Sequence, residues 1–198
     1  MITLGITGGI GSGKSTAREI FSDLNTITLD ADSIAKQLLI TDDKLKKLIK
    51  KEFGSEIYNN GKLNKKLLAD RAFDSSENQK KLNEIIHPIV RQYILDEFKR
   101  YRNKNELIVV EASMLLEANM QNDFDYILVI TADKKARLKR IKSRAMNQIA
   151  IENIIKLQMP EEEKIKYADF VIKNNKSKEH LNKECKLIIK KLESENEN

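Results

Sequence analysis

Hydrophobic positions along the chain follow two rhythms. Short continuous apolar runs occur at Ile2–Thr7, Thr26–Asp30, Leu107–Glu111, Tyr126–Thr131 and Asp169–Lys173. Unbroken runs of this kind suit strands of a parallel sheet covered on both faces. Elsewhere apolar residues recur every three or four positions, which puts them on one face of a helix. Ala17, Ile20, Phe21 and Leu24 mark a helix over Lys14–Leu24. From Ala31 to Tyr101 the pattern is helical throughout, with stripes at Ile34, Ala35, Leu38 and Leu39 and at Leu45, Leu48, Ile49 and Phe53. Asn59-Asn60-Gly61 signals a turn, Asn64 caps a helix carrying Leu67, Leu68 and Phe73, and Ser76 caps the next. Pro88 suits the first turn of a further helix with Ile89, Tyr93, Ile94 and Phe98. Two or three helices are expected over Asp133–Ala168, and a last one from Ser177 to about Leu192 before a frayed tail, Glu193–Asn198.

Strands alternating with helices predict an α/β fold, a five-stranded parallel sheet flanked by helices. The helical stretch between strands two and three is far longer than one crossover needs. It reads as an inserted subdomain. The expected organisation is one domain over residues 1–198, with a core of 1–31, 105–133 and 168–198, a helical insert at 32–104 and a helical lid region at 134–167.

Composition narrows this only a little. Charged residues are 33% and hydrophobic ones 40% of 198 residues, with no apolar run of membrane-spanning length and no leader-like opening, so a cytoplasmic protein is expected. The single cysteine, Cys185, cannot form an internal disulfide and lies on the apolar stripe of the last helix, where it reads as a core residue. The net charge of +6 fits anionic substrates as well as nucleic acid. With 6% aromatic residues, no Trp and no recognition module, no nucleic-acid partner is expected.

The most informative stretch is Gly8-Gly9-Ile10-Gly11-Ser12-Gly13-Lys14-Ser15-Thr16, which fits G-x-x-x-x-G-K-[ST] between a strand and a helix. Its glycines let the backbone wrap so that N–H groups point at an anion, and the helix start adds partial positive charge. Gly11, Ser12, Gly13, Lys14, Ser15 and Thr16 are therefore the expected nucleotide-phosphate ligands, with Lys14 on the β- and γ-phosphates and the Ser15 hydroxyl on Mg²⁺. Lys134 to Arg144 is basic without an acid, and Arg137, Arg140 and Arg144 share one helix face, with Leu138, Ile141 and Ala145 on another. Beside a phosphate loop such a stripe supplies charge for phosphoryl transfer and suits a lid that closes over the nucleotide. Asp30 and Asp32 follow the second strand, at the sheet end where ligands bind. On spacing alone Asp32 reads as an N-cap, with a general base as the alternative and Asp30 the less exposed of the two.

These residues together resemble the dephospho-coenzyme A kinases, P-loop kinases of the nucleoside-monophosphate-kinase type. The resemblance rests on Leu4 to Thr16, Asp30-Ala31-Asp32 with Ala35, Phe53-Gly54, Arg71-Ala72-Phe73, Leu82-Asn83, His87-Pro88, Arg140 with Arg144, Gln158, and Ala168-Asp169-Phe170-Val171-Ile172 with Asn174. It implies phosphorylation of the ribose 3′-hydroxyl of dephospho-coenzyme A by ATP with Mg²⁺. It also implies that Asp32 is the catalytic base, that Lys14 and Arg140 are catalytic and ATP-binding, and that Asp32, Arg71 and His87 serve the acceptor. His87 is open to a second role, fixing a turn before Pro88. A monomer is favoured.

The chain departs from the family pattern at Ser113, where a proline is usual before Met114-Leu115-Leu116-Glu117, and an altered acceptor-site edge is expected there. Lys142-Ser143-Arg144-Ala145 lacks the aspartate that often follows the second lid arginine. Two other functions remain open on the sequence: a P-loop kinase of another nucleotide or small-molecule hydroxyl, and a GTP-hydrolysing switch. The switch lacks its base-reading motif, since Asn103-Lys104-Asn105-Glu106 has no aspartate and precedes a strand.

Overall fold

Five apolar runs form one sheet. In the computed structural model, which describes residues 1–24, 26–102, 107–142 and 155–196, β1 (Ile2–Thr7) and β2 (Ile27–Asp30) come first. A two-stranded hairpin follows, β3 (Tyr58–Asn59) and β4 (Lys62–Leu63), then β5 (Leu107–Glu111), β6 (Tyr126–Thr131) and β7 (Phe170–Lys173). The large sheet has the order β2-β5-β1-β6-β7 and every pairing is parallel. In the central strand Gly5 lies opposite Val110 on one side and Ile127 on the other. The α/β, five-stranded parallel architecture read from the sequence is the one present.

The chain forms two compact units, Met1–Asp30 with Phe98–Asn198, and Ala31–Glu97. The first holds the sheet. Its core joins Leu4 and Ile6 of β1, Val109, Leu128, Ile130 and Ile172 of neighbouring strands, and Ala17, Ile20 and Phe21 of α1 (Lys14–Asp23). Leu181, Cys185, Ile188, Ile189 and Leu192 of the C-terminal helix complete it. That helix spans Lys178–Asn196, so most of the tail expected to fray is helical. Cys185 is fully buried, as its place on the stripe requires.

The second unit is helical with one exception. It contains α2 (Ala31–Thr41), α3 (Asp43–Phe53) and α4 (Lys65–Ala72), with most of α5 (Ser76–Tyr101). Asp42 caps α3 by accepting the Leu45 N–H at 2.7 Å, and Asn64 caps α4 by accepting that of Leu67 at 3.0 Å. Four expectations need correction. The Asn59-Asn60-Gly61 turn folds back into the β3–β4 hairpin, so this stretch is not helical throughout; Asn60 and Gly61 both take positive φ, as such tight turns demand. Ser75, not Ser76, accepts the first-turn N–H of α5, from Asn78. Pro88 does not begin a helix. It lies inside α5, where packing outweighs the hydrogen bond that a proline removes. Phe73 ends α4 half exposed instead of entering the core.

Candidate active site

The phosphate loop leaves the end of β1 and runs into α1. Gly13 stands just before that helix at φ 106°, and a Cβ there would lie 2.2 Å from Nδ2 of Asn174. Only glycine meets both demands. Gly8 is held as tightly: its φ is 148°, and a Cβ would lie 2.1 Å from the carbonyl oxygen of Ile130 on β6. Lys14, nearly buried, turns back to donate to the carbonyls of Gly8 and Gly9 at 3.0 and 3.2 Å. Ser12 is fully buried, and its hydroxyl has no hydrogen-bond partner within the protein. Ser15 and Thr16 are half-buried in the first turn of α1, and the partial positive charge of a helix start favours an anion.

Side chains from distant parts of the first unit brace this loop. Arg140, on α6 (Lys134–Lys142), donates from Nη1 to the carbonyls of Gly11 and Ser12 at 3.3 and 3.2 Å and from Nη2 to that of Asn174 at 2.8 Å. Asn174 itself donates to the Ser12 carbonyl at 2.8 Å. Arg137, one turn before Arg140, donates to the Ile10 carbonyl at 2.9 Å and pairs with Glu161 at 2.8 Å. The arginine stripe thus faces the loop at two of its three positions; Arg144 and Ala145 lie outside the described residues, as do Asn103 to Glu106. Of the apolar residues placed on the other face, Ile141 is buried and Leu138 is exposed. Gln158 closes the far side by accepting the Ile10 N–H at 3.0 Å.

Three acidic groups stand near the loop in this unit. Glu111 ends β5, opposite Asp30 at the end of β2. Arg18, one turn beyond Lys14, donates to Glu111 at 2.9 Å and lies 3.8 Å from Asp30. Burial raises the Glu111 carboxyl above the ordinary range, against the Arg18 hydrogen bond and the charge of Lys14. Burial also raises Glu161, with Arg137 opposing. Sequence reasoning missed Glu111, Arg18 and Glu161. The signal for Glu111 was available: an acid closing an apolar strand that pairs with the loop's own strand.

The remaining predicted residues belong to the second unit. Asp32 is exposed and lies in the first turn of α2, which begins at Ala31, so it is not that helix's N-cap. Asp30 is indeed the less exposed carboxylate. Arg71, in the last turn of α4, donates to the Phe53 carbonyl and pairs with Glu56. It lines a shallow pocket of about 280 Å³ with Glu52, Phe53, Asp70, Asp74 and Asn78. His87 is half-buried within α5, and because the helix runs through Pro88 it fixes no turn.

Comparison with known proteins gives a consistent answer. The model of the family described as dephospho-CoA kinase matches residues 2–180. The dephospho-CoA kinase of Aquifex aeolicus is 34% identical over 193 residues, covering 97% of this chain and 98% of that protein. The one from Fusobacterium nucleatum is 36% identical over 189 residues, covering 91% and 93%. Among solved structures, dephospho-CoA kinase from Campylobacter jejuni superposes with a TM-score of 0.73 at 29% identity, covering 98% of each chain. Shikimate kinase from Acinetobacter baumannii reaches a TM-score of 0.57 at 12% identity over 98% of this chain and 94% of that one, a likeness of fold alone.

Proposed function

The chain belongs to the dephospho-CoA kinase family, and from that premise we propose that it transfers the γ-phosphoryl group of ATP to the ribose 3′-hydroxyl of dephospho-CoA, the last step of coenzyme A biosynthesis. The observation that carries the reading is the braced phosphate loop with Lys14 at the start of α1. In the reaction a bond forms between the 3′-oxygen and the γ-phosphorus, the bond to the β-phosphate oxygen breaks, and ADP leaves. Lys14 and the N–H groups of Gly11 to Thr16 bind the β- and γ-phosphates, and the Ser12 hydroxyl, buried without a protein partner, suits the same anion. Arg140 stabilises charge on the transferring group. Asp32 accepts the proton of the attacking hydroxyl. Arg71 and His87 serve the acceptor.

The donors fit Mg²⁺. Among the described residues no three acidic, His or Cys side chains cluster as a metal cage. The Ser15 hydroxyl and the Glu111 carboxylate are hard oxygen donors of the kind Mg²⁺ takes alongside substrate phosphates. The ion would neutralise charge on the β- and γ-oxygens. Among the described residues no helix is long and apolar enough to cross a membrane, which supports a cytoplasmic enzyme. It acts on small molecules, without a nucleic-acid partner, and as a monomer.

The test is ADP release from ATP with dephospho-CoA, AMP, gluconate or shikimate offered separately. Turnover is expected with dephospho-CoA, with the product phosphorylated at the 3′ position by ³¹P NMR. Turnover with another acceptor and none with dephospho-CoA overturns the assignment.

A further inference from the structure

Lys164 is a lysine in an acidic, highly charged stretch, Glu161-Glu162-Glu163-Lys164-Ile165-Lys166, and such a residue ordinarily lies in water. Here its side chain is completely buried. Nζ lies 2.9 and 3.2 Å from the two carboxylate oxygens of Glu117 and donates to the Ser113 carbonyl at 3.3 Å and, at the longer distance of 3.5 Å, to the Thr7 hydroxyl. A buried ion pair is weak evidence for stability, because well-packed apolar residues of similar volume often do as well. Its location is more informative. Thr7 is the last residue of β1, immediately before the phosphate loop, and Ser113 and Glu117 lie in the turn after β5.

The same three segments are joined a second time. Gln158 donates to the Ser113 carbonyl at 3.3 Å while its own side-chain oxygen accepts the Ile10 N–H at 3.0 Å. Glu117 accepts the Met159 N–H at 2.7 Å. The Ser113 carbonyl therefore receives both Gln158 and Lys164, and Gln158 in turn grips the loop backbone. These contacts fix where Ile10 and Thr7 sit, and through them the direction of the loop's N–H groups.

We propose that Lys164 is a positioning residue for the nucleotide. Its ammonium, neutralised by Glu117, locks the Ser113 carbonyl and the Gln158 side chain so that the loop is held ready for the β- and γ-phosphates. This rests on the phosphate loop's reading as an ATP site, but not on the identity of the acceptor.

A double-mutant cycle between Lys164→Met and Gln158→Leu tests it, read by the dissociation constant for adenylyl imidodiphosphate and by the separate KM values for ATP and dephospho-CoA. Each single variant is expected to weaken the analogue roughly tenfold and the pair no more than the worse single, since coupled residues in one network do not add. KM for dephospho-CoA stays unchanged. Lys164→Met leaves the half-buried Glu117 without its cation, so the pair Lys164→Met with Glu117→Leu accompanies it: its melting temperature recovers while its analogue affinity stays low. Full additivity in the cycle, or wild-type affinity in the charge-free pair, overturns the proposal. A wild-type protein that binds the analogue without phosphorylating dephospho-CoA overturns the acceptor assignment alone.

Discussion

The phosphate loop and the helical insert hold their shapes by different means. The loop is bound by side chains that arrive from far along the chain: Arg137 and Arg140 from α6, Gln158, and Asn174 after β7. Most of these bonds end on loop backbone. The insert relies on neighbours. Asp42 and Asn64 cap the helices that follow them, the Tyr58 hydroxyl donates to the Leu39 carbonyl at 2.7 Å, and Arg71 reaches back to Phe53 and Glu56. A glycine-rich loop has many conformations open to it, and long-range contacts select one. Capped amphipathic helices largely hold their own ends. Damage to the first region should therefore appear in nucleotide handling, and damage to the second in stability or acceptor use.

The sharpest break in this contrast is Lys14→Met. If Lys14 serves the transferring phosphates as proposed, removing its charge should lower kcat roughly a thousandfold, with little change in melting temperature. Next comes Asp32→Asn. Loss of a general base costs on the order of a hundredfold or more in turnover, and KM for ATP should stay near the wild-type value. An equal loss of ATP affinity would make Asp32 a nucleotide ligand. Asn64→Ala should then cost about 1 kcal/mol of stability in urea unfolding, leaving KM for ATP untouched. A raised KM there would erase the distinction between the regions.

The mildest effect belongs to Cys185. Burial lifts its thiol from 9.0 to about 12, so the folded protein should resist iodoacetamide at pH 8 until it is unfolded. The fold holds that proton more tightly than the unfolded chain does. Its contribution to stability is complete below pH 9 and is lost as pH rises towards 12. Cys185→Ala should accordingly show a shallower alkaline decline in melting temperature than the wild type.

The sequence revealed most where the physics is local. The strands, the phosphate loop, the Asn64 cap and the buried stripe of the C-terminal helix each follow from neighbouring residues. It misled where packing overrode propensity, as at Pro88 within α5, or where a turn signal organised more chain than its own three residues, as at Asn60-Gly61. It was silent about the braces, because a buried Lys164 and an exposed Lys166 look alike on paper. Ser113 is the most instructive case. What Gln158 and Lys164 use there is its backbone carbonyl, which the family's usual proline also carries. The exchange of side chain leaves that contact available, so the altered edge expected at this position need not disturb the loop.

The central place of β1 also sets an order of events during synthesis. Gly5 is made more than a hundred residues before its partners, Val110 and Ile127. At ribosomal rates of roughly 5–20 residues per second, the strand waits on the order of ten seconds before both neighbours exist. The loop waits longer still, until Asn174 has emerged to hold the Ser12 carbonyl. The insert, whose bonds are short in sequence, has all its residues before then. A nascent chain of this protein thus carries an apolar, glycine-rich segment in search of partners while its helical portion is already available to fold, and the bracing of its phosphate loop comes late.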